Sequence, residues 1–253
     1  MFYFENQDQT AESEKLISLS SLVTGIAHEL NTPLGISITA LSYLRDFIQK
    51  MQDNPDAEDL KECIEKLDKS SQITMSSLKK AVEIIEDFKS IDVNQMCDTR
   101  NIFNLHQLLD NIIVSMSSYL TRHNIKIILK CPDNLELKSI PALYTQIFTN
   151  LIRNTIIHGF SKPSHGHIII ECSSKENLLQ IFFFDDGKGI SELNLSRIFD
   201  PFFTTMRGNG GKGLGLHLVY NIITYKLKGH IDCISKEDEF SCFIMTIPAN
   251  IPE

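Results

Sequence analysis

The sequence lacks any apolar stretch of about 18 residues, the length that a helix needs to span a bilayer. Its opening, MFYFENQDQT, has no basic segment followed by an apolar one, so we expect no secretory signal. Its six cysteines include no CxxC pair and no cluster with histidines, which favours reduced thiols over a zinc site or a disulfide framework. A net charge of −8 argues against a general nucleic-acid partner. We therefore expect a cytoplasmic chain without membrane contact of its own, tethered only if a longer native protein carries an anchor.

The first part of the chain has the periodicity of helices that pack in a bundle. Apolar residues recur at spacings of three and four at Leu16, Leu19, Val23, Ile26, Leu30, Leu34, Ile38, Leu41, Leu44, Ile48 and Met51. A turn signal at residues 53–56 precedes a second stripe at Leu60, Ile64, Leu67, Leu78, Ala81, Ile85 and Phe88. Because one helical hairpin cannot bury both of its apolar faces, we expect two copies to form a four-helix bundle as a homodimer.

The pattern changes near residues 97–103, and strands then alternate with helices. We predict strands at 125–130, 136–139, 167–172, 178–184, 229–234 and 240–247, and helices at 141–158 and 213–226. This order predicts an α+β domain with its helices on one face of a mostly antiparallel sheet. The domain boundaries that we predict are a linker at 1–15, a helical domain at 16–97 and an α+β domain at 98–253.

Three stretches of the second domain suggest a nucleotide site. In NLIRN, Asn150 and Asn154 share one helix face, and amide oxygens suit Mg²⁺. In DDGKGI, a carboxylate after an apolar strand can accept a hydrogen bond from an exocyclic amine, and glycines allow close approach to a flat ring. In GNGGKGLGL, glycines before a helix expose N–H groups to phosphate. Each stretch alone is equally compatible with surface amides, a plain turn or a flexible loop.

Two common phosphate-binding patterns are absent. No GK[ST] follows the glycines, which excludes a P-loop, and no GxGxxG lies between the first strand and helix of a βαβ unit.

The segment GIAHELNTPLG, residues 25–35, places a histidine off the apolar stripe. A lone helical histidine is usually a surface residue, but His28 is followed by Glu29, which could act as its base or orienting partner. Thr32 lies one turn further on the same face. Pro33 cannot donate to the carbonyl of Glu29, so we predict a local hinge beside His28.

Taken together, GIAHELNTPLG, NLIRN, DDGKGI, IFDPFFTT and GKGLGL, in this order, resemble the motifs of sensor histidine kinases, whose ATP-binding domain is shared with DNA gyrase and related ATPases. The resemblance extends over residues 15–250. It implies a dimerisation and histidine phosphotransfer domain at 16–97 and a catalytic ATP-binding domain, an α+β sandwich of the histidine kinase and gyrase type, at 98–253.

The resemblance also implies roles for individual residues. His28 would be phosphorylated, Glu29 would assist it, and Thr32 would position a water for dephosphorylation of the partner. The nucleotide would contact Asn150, Asn154, His158, Asp185, Gly187, Gly189, Phe203, Gly211, Gly213, Leu214, Gly215 and Ser241, with Asn154 as the Mg²⁺ ligand, Asp185 on the adenine amine and residues 190–212 as a lid. Three residues depart from the family pattern: Asn31, where one large branch of the family has arginine, Asp186, where the family often has asparagine, and Phe240, where it usually has glycine.

The implied function is an ATP-dependent histidine autokinase that uses Mg²⁺ and passes the phosphoryl group from His28 to an aspartate of a response-regulator receiver domain, and that also dephosphorylates this partner. The alternatives are a degenerate kinase that acts as a nucleotide-binding scaffold, a phosphatase-dominant relative and a clamp ATPase of the gyrase type. The last would not need the HELNTP segment or a hairpin of this length.

Overall fold

The computed structural model describes residues 2–53, 60–91, 100–160, 165–206 and 213–249. The chain divides into two compact units, Met1–Asp92 and Val93–Glu253. No helix in the described part of the chain is both long and apolar enough to cross a membrane.

The first unit is a hairpin of two long helices, α1 (Phe2–Asp53) and α2 (Leu60–Ile91). α1 begins well before residue 16, where we predicted the start of the helical domain, and it continues through Pro33. Most of the predicted turn at 53–56 and the predicted boundary at 97 lie outside the described residues. The side chains of Leu16, Leu19, Val23, Leu60 and Phe88 also lie outside the described part.

Small residues fill much of the buried interior of this hairpin. The buried positions are Ile26, Pro33, Ser37 and Phe47 on α1 and Cys63, Ser70, Ser77, Ala81 and Ile84 on α2. Most large residues of the predicted stripes are instead exposed, namely Leu34, Ile38, Leu41, Ile48, Ile64, Leu67, Leu78 and Ile85. Packing within one chain therefore leaves an apolar surface uncovered on this unit.

The second unit contains seven strands and five short helices in the described residues. In chain order they are β1 (Asn101–Asn104), α3 (Leu105–Ser115), α4 (Ser117–Arg122), β2 (Ile125–Lys130), β3 (Glu136–Ser139), α5 (Pro141–Asn154), β4 (Gly166–Lys175), β5 (Leu178–Asp185), α6 (Glu192–Leu195), α7 (Gly215–Asn221), β6 (His230–Lys236) and β7 (Phe240–Pro248). Two π-helical turns, Thr155–Gly159 and Ile222–Lys226, extend α5 and α7.

The main sheet has the strand order β2-β4-β5-β7-β6. Three of its four pairings are antiparallel, and only β2 and β4 run parallel, joined through α5. β1 pairs with β3 in a separate two-stranded sheet. The sequence prediction missed β1 and α3, although Asn104 caps α3 through a hydrogen bond from the Gln107 N–H to its side-chain oxygen at 2.9 Å.

One face of the main sheet forms the core with the helices. Leu179, Ile181 and Phe183 of β5 are fully buried, and the alternate residue Phe182 is 37% exposed. α5 buries six residues, Leu143, Tyr144, Ile147, Phe148, Leu151 and Ile152. The fold is therefore a mixed α/β domain with the helices packed on one face of the sheet, as the sequence predicted.

Candidate functional site

Asp185 is a buried carboxylate at the end of β5, with 2% of its surface exposed. The Thr155 hydroxyl donates to Oδ2 at 3.2 Å, and the Gly187 N–H donates to Oδ1 at 3.1 Å. Burial raises the pKa of Asp185 to about 6, against the lowering effect of these two hydrogen bonds, and the charge of Asp186 raises it further. A carboxylate can accept about four hydrogen bonds, so this one keeps acceptor capacity for a ligand amine.

Thr155 and Gly159 reach Asp185 because α5 changes to a π-helical turn after Asn154. The Lys188 N–H donates to the Gly159 carbonyl at 2.9 Å, and a Cβ on Gly187 would lie 2.8 Å from that oxygen. We did not predict Thr155 or Gly159 as part of the site. A signal was available for Thr155, because it continues the buried stripe of Leu143, Ile147 and Leu151 with a polar side chain.

The DDGKGI loop contacts the end of β6, next to the turn that leads to β7. Gly189 has a φ of +65°, and a Cβ there would overlap the carbonyl oxygen of Lys236. The Ile190 N–H donates to Ser235 Oγ at 2.8 Å. Ser241 is buried and stands opposite Asp185 in the pairing of β5 with β7. The structure therefore brings the predicted residues Asp185, Gly187, Gly189 and Ser241 together.

Phe240 and Asp186, which depart from the family pattern, both have defined partners. Phe240 stacks on Phe184 with ring centroids 5.6 Å apart, on the sheet face opposite Asp185. Asp186 accepts hydrogen bonds from the backbone and ring nitrogens of His167 at 2.6 and 2.9 Å. Neither side chain therefore points to the face that carries Asp185.

The two predicted asparagines of α5 have different surroundings. Asn150 donates to the Gln146 carbonyl at 2.8 Å, and its Oδ1 would lie 3.2 Å from a Cβ on Gly215. Asn150 therefore lies beside the start of α7. Asn154 is half-buried, and its amide makes no hydrogen bond to any residue that the structure describes.

The predicted lid is attached to the start of α7. Phe202 has a φ of 63°, and its N–H donates to the carbonyl of Gly213, which itself has a φ of +68°. The neighbouring Leu214 is buried. Phe203 lies beneath Arg197, with the guanidinium carbon 4.9 Å from the ring centroid. Gly211 and the rest of 207–212 lie outside the described residues.

Two histidines contact the lid. His217, which we did not predict, donates from Nδ1 to the Phe199 carbonyl at 2.9 Å and accepts from Asn221 Nδ2 at 3.0 Å on Nε2. Burial lowers its pKa, which favours this neutral tautomer. Nδ1 of His158 lies 3.5 Å from Oγ1 of Thr205. The pKa of His158 is lowered mainly by burial and also by the charge of Lys188.

On α1, His28 is exposed and Glu29 is half-buried. The His28 ring makes no hydrogen bond or ion pair with the described part of the chain. Thr32 donates to the His28 carbonyl at 3.3 Å, and Ser37 donates to the Pro33 carbonyl at 2.9 Å. Such side-chain hydrogen bonds compete with the backbone hydrogen bonds of the helix, and Pro33 already lacks the N–H that would donate to the carbonyl of Glu29. Both effects weaken the helix near Pro33.

The polar groups described in the second unit do not form a metal site by themselves. No group of three His, Cys, Asp or Glu side chains in the described residues could hold a metal. A Mg²⁺ ion would therefore depend on an amide such as Asn154, on water and on phosphate oxygens. The open acceptor positions of Asp185 suit an exocyclic amine.

Comparisons with known proteins agree with this arrangement. Residues 139–251 match the family described as histidine kinase-, DNA gyrase B-, and HSP90-like ATPase. Sensor histidine kinase ZraS of Escherichia coli (strain K12) is 29% identical over 247 residues, which are 97% of this chain and 49% of the relative. Sporulation kinase A of Bacillus subtilis (strain 168) is 26% identical over 96% of this chain and 37% of its own length. The chain thus spans about half the length, or less, of these curated relatives.

Solved structures show the same similarity. The catalytic domain of histidine kinase ThkA is 26% identical, with a TM-score of 0.53 over 60% of this chain and 97% of that one. ThkA in complex with response regulator protein TrrA has a TM-score of 0.64 over 98% of this chain and 67% of that one, and at 20% identity it supports the fold alone. The resemblance found in the sequence is confirmed: residues 139–251 form a domain of the histidine kinase-, DNA gyrase B- and HSP90-like ATPase family, in a chain homologous to sensor histidine kinases.

Proposed function

We propose that this chain is the catalytic core of a sensor histidine kinase, which binds Mg-ATP in its second unit and phosphorylates His28. The observation that carries the proposal is the buried Asp185 carboxylate, held at both oxygens and still able to accept hydrogen bonds. A carboxylate in this setting suits the amine of adenine. The site residues predicted from the sequence keep the roles that the resemblance implies.

The roles around the phosphates follow from the neighbours of Asn150 and Asn154. Mg²⁺, when bound with ATP, would neutralise phosphate charge and orient the γ-phosphoryl group. Asn154, whose amide has no hydrogen-bond partner among the described residues, is the proposed protein ligand. Asn150 lies beside the start of α7, where Gly213, Leu214 and Gly215 would face the phosphates. His158 and Phe203 would contact the nucleotide, and His217 would hold the lid through the Phe199 carbonyl.

At His28, one imidazole nitrogen attacks the γ-phosphorus, the bond from phosphorus to the bridging oxygen breaks, and ADP leaves. The proton on the other ring nitrogen passes to Glu29 or to water. The ring of His28 is exposed and has no hydrogen-bond partner or ion pair among the residues that the structure describes, which is compatible with this role. Most of the rate enhancement would come from positioning and charge neutralisation.

We further propose a homodimer and a response-regulator partner that receives the phosphoryl group on an aspartate and is later dephosphorylated with help from Thr32. Support for the dimer comes from the exposed residues Leu34, Ile38, Leu41 and Leu78, which a second copy would cover. Support for the partner comes by analogy with ThkA, whose catalytic domain is 26% identical to this chain and which is found in complex with response regulator protein TrrA. The scaffold alternative gains no support, because the relatives carry the names of kinases.

The test incubates the purified chain with Mg²⁺ and γ-labelled ATP beside His28→Ala, Asn154→Ala and the control His230→Ala. His230 is also exposed and is paired only with Asp232 among the described residues, at 2.8 Å. The proposal expects acid-labile, base-stable label on the wild type and on His230→Ala and none on the other two variants. ATP binding without any label would favour the scaffold, and label retained by His28→Ala would refute the assignment of the acceptor.

A further inference from the structure

Thr155 uses its hydroxyl differently from several other helical threonines of this chain. Thr32, Thr39 and Thr145 each donate to the carbonyl four residues earlier. Thr155, which is only 2% exposed, instead donates to Oδ2 of Asp185 on β5, at 3.2 Å. Asp185 is the one buried carboxylate among the described residues, and a buried hydroxyl directed at it is a candidate for controlling what that carboxylate can bind.

The direction of this hydrogen bond depends on the charge of Asp185. An ionised carboxylate only accepts, so the hydroxyl must donate, and the remaining lone pairs accept from a ligand amine. A protonated carboxyl group carries a hydrogen of its own and can donate it to a ligand carbonyl. The two forms therefore select opposite groups at position 6 of a purine: the ionised form selects an amine and the protonated form selects a carbonyl oxygen.

We propose that the Thr155 hydroxyl is a positioning group that keeps Asp185 a hydrogen-bond acceptor and thereby makes the site prefer a 6-aminopurine to a 6-oxopurine. The proposal rests on the proposed function, since it assumes that the site binds a purine nucleotide. Thr155 acts through Asp185 and does not react itself.

The ionised and protonated forms of Asp185 are close enough in free energy for the loss of one hydrogen bond to change which form is present. Burial raises the pKa of this carboxyl to about 6, and the Thr155 hydroxyl opposes the rise. Among the described residues, the other ionisable group that acts on it is Asp186, whose charge raises its pKa. The nearby thiols of Cys233 and Cys242 have pKa values raised by burial and then by the charge of Asp185 itself. Loss of the hydroxyl therefore moves the titration of Asp185 toward neutral pH.

The experiment measures the affinity of the full chain for ATP and for inosine triphosphate, with Mg²⁺, by calorimetry between pH 6 and 8.5. Thr155→Val keeps the shape and removes the hydroxyl, and Thr155→Ser keeps the hydroxyl and removes the methyl group. We expect the wild type and Thr155→Ser to prefer ATP. In Thr155→Val we expect the ratio of the two affinities at pH 7 to fall about tenfold, as for the loss of one hydrogen bond to a charged group, and the midpoint of ATP binding to move to higher pH.

Several outcomes would overturn the proposal. One is a Thr155→Val variant with the wild-type selectivity and pH profile; another is an equal loss in Thr155→Ser and Thr155→Val, which would assign the effect to packing. If Thr155→Val does not fold, Thr155→Ala replaces it, because it removes the hydroxyl without adding bulk. A wild type that binds neither nucleotide refutes the proposed function, whereas unchanged selectivity in the valine variant refutes only the role of Thr155.

Discussion

Asp185 should cost the second unit stability because its carboxylate is buried and ionised at neutral pH. The rise of its pKa from 3.8 to about 6 corresponds to about 3 kcal/mol, at about 1.36 kcal/mol for each pH unit. A neutral Asn of nearly the same shape should recover part of this cost. We expect Asp185→Asn to raise the free energy of unfolding at pH 7.5 by about 1 to 3 kcal/mol, the lower value allowing for weaker hydrogen bonds from Thr155 and Gly187.

The sign of this effect fixes its pH dependence. An acid whose pKa is raised on folding binds more protons in the folded state between the two pKa values, here 3.8 and about 6. Stability of the wild type therefore falls as the pH rises through this window. The advantage of Asp185→Asn should be full above pH 6 and should disappear near pH 4.

Hydrogen exchange of backbone amides in β5 and β7 is the suitable assay, because the chain has two units and no tryptophan. At pH 7.5 the slowest of these amides should exchange about 5- to 150-fold more slowly in Asp185→Asn, after correction for intrinsic rates. Asp186→Asn is the matched control, since Asp186 is exposed and paired with His167. Its charge is the smallest of the causes that shift the pKa of Asp185, so this variant should slow exchange far less than Asp185→Asn. ATP binding by Asp185→Asn should weaken at the same time. Exchange that is unchanged or faster in Asp185→Asn would refute the reasoning.

Three further predictions concern the hinge, the lid and the base pocket. Pro33→Ala should change the ratio of kinase to phosphatase activity, measured with a partner regulator. The control Gly35→Ala should not change this ratio, because its added Cβ meets nothing within 4 Å. Equal effects of the two variants would exclude a hinge at Pro33. Protonation of His217 breaks its acceptance from Asn221. Because burial lowers the pKa of His217 from its usual 6.5, this loss of ATP affinity should appear only at a pH below that value, and His217→Gln should remove that part of the decline in titration calorimetry; an identical decline in the variant would contradict this. Gly187→Ala places a Cβ 2.7 Å from Asp185 Oδ1 and should reduce ATP affinity more than about tenfold, and affinity equal to the wild type in equilibrium binding would argue against a close approach there.

The sequence predicted those elements of the second unit whose patterns are local. The strands predicted at 125–130 and 136–139 have the observed bounds of β2 and β3. β2 reads IKIILK, which is rich in β-branched residues, and β3 follows the turn signal PDN at 132–134. β1 has only four residues and exists through its pairing with β3, so no local pattern reveals it. The parallel pairing of β2 with β4 likewise depends on the crossover through α5.

The candidate site was also predicted only where its residues lie in local sequence motifs. Motif order predicted Asp185, Gly187 and Gly189, which the structure brings together around one loop. It missed Thr155 and His217, because their roles arise from a π-helical turn and from a bond to the carbonyl of Phe199. The helical stripes were assigned by periodicity alone, and periodicity does not distinguish the face that closes a hairpin from the face that a single chain leaves exposed.

The most direct test of the central claim is to locate the phosphoryl group by mass spectrometry under neutral, non-acidic conditions after incubation with Mg-ATP. Our account predicts one modified peptide, which contains His28, in the wild type and none after Asn154→Ala or His28→Ala. A phosphoryl group on any other residue, or none on a chain that binds ATP, would contradict it.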